Sequence, residues 1–445
     1  MTSQYKSYPK YKNSGVQWIG ETPEEWEVVK GKFKFRIRGG YAFPSDKFVD
    51  EGIPLIRIGD MIKSSINIKN CAKLPKKFLL KKKEFLLQEN NILIAMTGAT
   101  IGKISVVPKT NEKLLLNQRV GRVKTKENKA YYKYLLGADF IQKQIKLICE
   151  GSAQENISSE QIESFFVPNL NDKYQVTIAF FLDKKTAQID ALIEKDKRLI
   201  GLLKERRAAS INHAVTKGLD PNVKMKDSGI EWIGEIPEEW EVNKIKNTNY
   251  VKGRIGWHGL TSEEYQDEGA FLVTGTDFFN GHIDWSSCHH VSWERYKEDP
   301  YIHLKENDVL ITKDGTIGKV ALIEDLPDKA TLNSGVFVIR ALNKKHISHF
   351  MFWILNSLVF EKFFDYVKRG ATISHLYQET FERFIFPIPS FDEQKTIAEY
   401  LDKFTTRIDK TIQKIQKKIK LLEEYKKSLI HHTVTGKIDV RGLEY

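Results

Sequence analysis

Cysteine is scarce in this chain. Only Cys71, Cys149 and Cys288 occur in 445 residues, and they lie far apart. An odd, unclustered set builds neither a disulfide framework nor a zinc pattern, and it suits a reducing compartment. His289 and His290 follow Cys288 directly, a spacing unsuited to a closed structural zinc site. No apolar run approaches the ~18–20 residues that a membrane span needs, and mean hydropathy is −0.41. Residues 1–12 are polar and basic and lack the apolar core of a secretory signal. The expectation is a soluble, cytoplasmic protein with no membrane attachment.

Catalytic motifs are also missing. The segment Gly98-Ala99-Thr100-Ile101-Gly102-Lys103-Ile104 resembles a phosphate-binding loop. It is one residue short between its glycines and lacks the Ser or Thr that would hold magnesium. The same shape returns at Gly315–Lys319, which suits a structural turn in a repeated domain. Asp299-Pro300-Tyr301 lacks the second proline of an amino-methyltransferase motif. There is no Gly-x-Ser-x-Gly elbow and no His-Glu-x-x-His pair. No catalytic residue, metal site or cofactor is therefore expected in the chain.

Positive charge and length are in good supply. Lys and Arg number 70 against 58 Asp and Glu, a net charge of +12. Such an excess favours a polyanionic partner, because cations that neutralise phosphates release condensed counterions. The length suggests two to four domains.

The chain is written twice. Residues 12–28 read KNSGVQWIGETPEEWEV and residues 226–242 read KDSGIEWIGEIPEEWEV, identical at 13 of 17 positions at an offset of 214. Thr100-Ile101-Gly102-Lys103 returns as Thr316-Ile317-Gly318-Lys319 at an offset of 216. Leu182-Asp183 returns as Leu401-Asp402, Ile189-Asp190 as Ile408-Asp409 and Val215-Thr216 as Val434-Thr435, all at 219. This period is far too long for a solenoid and fits a whole domain plus a linking element.

Each half opens with a box around Trp18 or Trp232. A mixed region follows, with strand-like runs at 53–58, 91–96, 309–312 and 336–339 and helix-like runs at 131–148 and 347–367. It closes at Phe165-Phe166-Val167-Pro168 or Phe384-Ile385-Phe386-Pro387. A proline-free segment then carries a heptad-like apolar stripe. In 173–215 its positions are Leu182, Thr186, Ile189, Ile193, Asp196, Ile200, Leu203, Arg207, Ser210 and Ala214. In 392–434 they are Leu401, Thr405, Ile408, Ile412, Ile415, Ile419, Leu422, Lys426, Leu429 and Thr433. Steps of four and three predict a coiled coil, with each helix ~65 Å long at ~1.5 Å per residue. A narrow stripe needs a partner, and the equivalent helix, lying antiparallel, is the expected one. The fold class is thus α+β: two mixed α/β domains in pseudo-two-fold tandem repeat, separated by two long antiparallel coiled-coil helices.

The Ser-Gly-x-x-Trp-Ile-Gly-x-x-Pro-x-x-Trp boxes at 14–26 and 228–240 and the two Thr-Ile-Gly-Lys loops resemble the specificity subunit of a type I restriction–modification enzyme. So does the entry to each long helix, with Pro168, Gln175, Ile178-Ala179 and Leu182-Asp183, then Pro387, Gln394, Ile397-Ala398 and Leu401-Asp402. The resemblance implies target-recognition domains at 1–171 and 218–390, a first conserved spacer helix at 172–217, and a second with a C-terminal tail at 391–445. It implies that each domain reads one half of an asymmetric, bipartite double-stranded DNA target. The helices would dock two methyltransferase subunits, and two motor-nuclease subunits would complete the assembly. S-adenosylmethionine, ATP and magnesium would belong to those partners. The alternatives are a stand-alone DNA-binding scaffold and a cryptic nuclease. The boxes and helices match closely while 29–95 and 243–310 match weakly, as two readers of different half-sites on one frame would.

Major-groove reading uses Arg and Lys on guanine and Asn and Gln on adenine. The DNA-contact candidates in the first half are Arg36, Arg38, Tyr41, Arg57, Lys103, Asn117, Gln118, Arg119, Gln154 and Asn156. In the second they are Lys252, Arg254, Trp257, His258, Thr274, Lys313, Lys319, Asn333 and Arg369. Glycines among them let backbone N–H groups approach phosphates. Trp18, Trp26, Trp232 and Trp240 are read as packing anchors, since both halves keep them.

Overall fold

The structure is a computed structural model that describes residues 5–62, 65–150, 156–254, 260–342, 345–368 and 375–442. The chain forms two compact units. The first comprises 1–196 together with 416–445, and the second comprises 197–415. Both hold mixed helices and sheets.

In the first unit a four-stranded antiparallel sheet runs in the order Ile104–Val106, Ile92–Ala95, Val120–Lys124, Arg36–Gly39. A second sheet places Ile53–Ile56 parallel to Leu114–Leu116. All residues of those two strands are buried, which explains their unbroken apolar sequence. In the second unit the same order recurs as Val320–Leu322, Val309–Thr312, Val336–Ala341, Asn249–Gly253. There Ala270–Val273 lies parallel to Ala330–Leu332. Even the register repeats: Ile92 faces Val123 and Val309 faces Ile339. The closing strands Phe166–Asn169 and Ile385–Ile388 pair with Glu27–Lys30 and Glu241–Lys244.

Each expected helix after the sheet is in fact two. Residues 131–148 fold as Lys129–Gly137 and Asp139–Cys149, broken at Ala138, whose ψ of 149° is extended. The Gln142 amide donates to the carbonyls of Leu136 and Gly102, capturing groups that the break frees. In the second unit the helices are Ser348–Leu355 and Leu358–Lys368. Ser357 bridges that break, donating to the Ile354 carbonyl and accepting from the Val359 amide. The 53–58 run also stops early, at Ile56, because the Asp60 carboxylate caps the Arg57 amide and turns the chain.

The long helices are Asp172–Lys217 and Phe391–Val434. Each starts on a polar cap. The Asn171 side chain accepts from the Tyr174 amide and the Ser390 hydroxyl from the Glu393 amide. Each ends at a glycine with positive φ, Gly218 at 74° and Gly436 at 78°, the conformation a C-terminal cap requires.

In the first unit Ile189 and Ile193 are buried, Asp190 bonds Lys426, and Asp196 bonds Lys418 at 2.9 Å. Rising numbers on one helix meet falling numbers on the other, so these segments run antiparallel. Ile419 and Leu422 are half-buried beside them. In the second unit Arg207 reaches Asp409 at 3.2 Å and the Arg206 guanidinium lies over Phe404. Ile408, Ile412 and Ile415 are buried there, and Ile200 and Leu203 half-buried. Leu182 and Leu401 sit deeper, inside the globular cores. Besides Ala214, the structure buries Ile211 and Val215, off the heptad stripe, because this helix end shares a core with Ile236 and Trp240. No helix among the described residues is long and apolar enough to cross a membrane.

Candidate nucleic-acid interface

The repeated motifs prove to be joints. Gln175 is fully buried, its amide donating to Glu127 Oε2 at 2.7 Å and the Leu170 carbonyl at 2.9 Å, its oxygen accepting from the Asn128 amide. Gln394 does the same for the Lys345 and Pro389 carbonyls and the Ile347 amide. Burial raises the Glu127 pKa, but hydrogen bonds from Lys34, Tyr132 and Gln175 outweigh it and hold the carboxyl below its usual range. Asp183 accepts from the Tyr134 hydroxyl and Lys133, and its counterpart Asp402 accepts from the Trp353 indole and His349. Trp26 and Trp240 are 1% exposed. Gly436 packs against Trp26 and Pro23, and Gly218 against Trp240. The Trp232 indole donates to the Ile385 carbonyl.

The Thr-Ile-Gly-Lys segments are the hairpin turns between Ile92–Ala95 and Ile104–Val106 and between Val309–Thr312 and Val320–Leu322. Gly98, Gly102, Gly315 and Gly318 all take positive φ there. Lys103 is spent internally, its Nζ donating to the Met61 carbonyl at 2.6 Å, whereas Lys319 is exposed with its Nζ 3.5 Å from the Gly275 carbonyl.

Beside each turn lies the same backbone cradle. In the first unit Thr97 bridges Asn156, the Met96 amide donates to the Arg119 carbonyl, and the Ile157 amide to the Met96 carbonyl. In the second unit Asp314 bridges His375, the Lys313 amide donates to the Gly335 carbonyl, and the Leu376 amide to the Lys313 carbonyl. The correspondence is therefore Met96 with Lys313, Thr97 with Asp314, Arg119 with Gly335 and Asn156 with His375. The frame is kept and every one of these side chains differs. Ile58, Met96, Thr97, Gly98, Gln118, Arg119 and Asn156 line a cavity of about 410 Å³ in the first cradle.

The sequence-derived contact residues divide sharply in this setting. Gln118, Arg119 and Asn156 converge on that cavity with exposed side chains. Arg38 and Lys252 are exposed at matching places on the edge strands of the two sheets. Others have their polar heads engaged. Arg36 pairs with Glu163 at 2.7 Å, and Arg57 lies 3.5 Å from Asp60. Tyr41 carries the Lys82 ammonium 3.7 Å above its ring, and only the backbones of Tyr41 and Asn117 form a bridge. Thr274 bonds Asp277, and Asn333 donates to the Tyr265 hydroxyl at 3.0 Å.

Two candidates face inward. Arg254 is 1% exposed, with Nε donating to the Leu332 carbonyl at 2.9 Å, so it is a structural arginine rather than a surface contact. Lys313 is 8% exposed with Nζ 5.0 Å from the centre of the Phe337 ring, and burial lowers its pKa. Residue type alone does not tell such groups from surface cations, since the apolar strands around them decide. Gln154, Trp257, His258 and Arg369 lie outside the described residues.

One equivalence escaped the sequence reading. Asp60 and Cys71 in the first unit match Asp277 and Cys288 in the second. Each aspartate caps a turn, at Arg57 or Thr274, and each thiol donates to a carbonyl, of Asn67 or Asp284. The offset of 217 in both pairs is the available signal. Burial and the neighbouring carboxylates push both thiols up to about 12, which makes them inert. His289 and His290 pack on Tyr265 and Phe271, and no group of three metal-capable side chains occurs among the described residues.

Comparison with known proteins agrees with this duplicated plan. The type I restriction modification DNA specificity domain matches twice, over residues 23–200 and 237–421. The chain is 25% identical over 447 residues to the type I restriction enzyme MjaVIII specificity subunit of Methanocaldococcus jannaschii, covering 95% of each. It is 22% identical over 428 residues to the EcoBI specificity subunit of Escherichia coli, covering 93% of this chain and 86% of that one. The fold resembles a chain solved in a study of type I R-M system assembly, with a TM-score of 0.66 at 13% identity over 94% of this chain and 99% of that one. It also resembles the HsdS subunit of Thermoanaerobacter tengcongensis, at 0.53 and 13% identity, over 94% of this chain and 98% of that one. With both matches falling on the two repeated halves, this chain belongs to the family of type I restriction–modification DNA specificity subunits.

Proposed function

We propose that the chain reads an asymmetric, bipartite double-stranded DNA target, one half-site per recognition domain, and supplies that reading to catalytic partners. The domains are 1–171 and 218–390, and the segments 172–217 and 391–445, the second a long helix with a C-terminal tail, serve as spacer and docking platform. Two methyltransferase subunits bind there and bring S-adenosylmethionine. Two motor-nuclease subunits bring ATP and magnesium. The chain itself is a specificity subunit rather than an enzyme, and it works in the cytoplasm.

The observation that carries this reading is the pair of cradles. One backbone frame, fixed by the same bridges and amide bonds, presents different polar side chains in the two units. Phosphate contacts position a protein on DNA and base-edge contacts specify the sequence. Features shared by the units, such as exposed Arg38 and Lys252, suit the first task, and the divergent cradle side chains suit the second. A net charge of +12 supplies the general attraction to phosphate.

The test is a domain exchange. Residues 29–165 are replaced with those of a relative, the chain is co-expressed with its methyltransferase partner, and methylated sites are mapped across the genome. One half-site changes and the other stays. A swap that alters both halves, or a wild-type complex that methylates no bipartite motif, refutes the reading.

A further inference from the structure

The specificity reading leaves open which side chains select the bases. We infer that the cradle beside each hairpin turn is the base-selecting site, with Arg119, Gln118 and Asn156 reading a purine-containing half-site and Asp314 with His375 reading a different one. The inference rests on the reading above and adds named residues to it.

Three observations converge. The first is placement: the neighbours Gln118 and Arg119 and the distant Asn156 line one cavity of about 410 Å³. The second is availability. These three side chains make no hydrogen bond or ion pair among the described residues, unlike Arg36, Arg254 and Lys103, whose heads are occupied. Polar groups left for water at a rigid rim can exchange that water for a base edge at little ordering cost. Backbone bridges, not the side chains, hold the rim in place.

The third is substitution on a constant frame. At the place of Arg119 the second unit has Gly335, at that of Asn156 it has His375, and at that of Thr97 it has Asp314. Asp314 holds His375 through Nδ1, which leaves Nε2 and the other carboxylate oxygen as the groups to offer. Tyr377, 64% exposed, lies against the His375 ring at 4.7 Å.

The chemistry then assigns bases. A guanidinium matches O6 and N7 of guanine as a fork, a carboxamide matches N6 and N7 of adenine, and a carboxylate accepts from N4 of cytosine. The first half-site therefore contains a guanine read by Arg119 and an adenine read by Gln118 or Asn156. The second contains a cytosine read by Asp314. Removing a bidentate contact relaxes discrimination at its own position by roughly 10- to 100-fold and leaves other positions unchanged.

The test uses the full chain in complex with its methyltransferase subunits. Wild type is compared with Arg119→Gly, Asn156→His and the double variant Asp314→Thr/His375→Asn, each of which installs what the opposite unit carries at the same place. Methylated motifs are mapped genome-wide. Binding is measured on duplexes bearing the wild-type motif and each single-base change. Arg119→Gly is expected to accept other bases at one guanine of the first half-site, and Asp314→Thr/His375→Asn to relax only the second. If a variant methylates too little to map, its ranking of the duplexes decides. A wild-type ranking in all three variants overturns the inference while the wild-type motif keeps the specificity reading intact. Relaxation in the wrong half-site overturns it as well.

Discussion

Replacing Gln175 with Leu tests whether the helix-entry glutamine is a joint or a contact for partners. The change conserves shape and removes polarity. It leaves the Asn128 amide and the Leu170 carbonyl without their partner and takes one of the hydrogen bonds that Glu127 accepts. A buried polar group left unpaired costs about 1–3 kcal/mol. Glu127 keeps Lys34 and Tyr132, so its loss is the smaller one. The total is about 3–5 kcal/mol. At about 2–4 °C per kcal/mol for a unit of this size, the transition that reports the first unit falls by roughly 10 °C. The assay is thermal and urea unfolding of the purified chain, with amide exchange at Asn128 as the local probe. Stability within about 0.5 kcal/mol of wild type, with Asn128 still protected, would refute the reasoning and return the residue to partner binding.

Two further outcomes follow from single contacts. Gly436→Ala forces a side chain onto a φ of 78° and sets its Cβ 2.3 Å from the Pro23 ring, whereas at Gly218 the nearest atom is the flexible end of Glu393 at 2.9 Å. The conformational cost is about 1–2 kcal/mol at each, so urea titration finds Gly436→Ala the more destabilising by at least about 1 kcal/mol, and equal losses would contradict the packing. The Asp402 hydrogen bond raises the His349 pKa above its ordinary value against the lowering effect of burial. That raised value makes the pair's stabilisation complete below an unfolded pKa of about 6.5 and lost as pH climbs through the folded value. Both groups are more than a third exposed, so the effect is under about 1 kcal/mol. His349→Gln should flatten the decline in stability between about pH 6 and pH 8, and an unchanged slope excludes the pair as its source.

Much of the fold was legible because repetition marks it. The tryptophan boxes, hairpin turns and helix entries stand at nearly constant offsets, and each is a joint whose geometry tolerates few residues, as buried Gln175 and Gln394 demonstrate. Strand runs such as 309–312 were readable from their unbroken apolar character. The break at Ala138 was not, because the side-chain period resumes after it and Gln142 repairs it from a distance. The contact surface was the least legible part. An arginine among glycines looks the same whether it faces solvent, like Arg38, or enters a core, like Arg254. Proximity across long sequence gaps, which joins Arg119 to Asn156, is a property of the folded chain alone.

The first compact unit is assembled from residues 1–196 and 416–445, whereas the second is one unbroken stretch, 197–415. Residue 439 donates its amide to the Lys6 carbonyl, and Arg441 reaches Glu25 at 3.0 Å. Translation runs in one direction, so the unit begun first is completed last. Its early portion leaves the ribosome with the seat for Gly436 open and waits through the synthesis of the whole other unit. A premature stop in the part of the final helix beyond residue 415 would therefore injure the unit encoded at the opposite end of the gene, while the one encoded next to the lesion has already emerged complete.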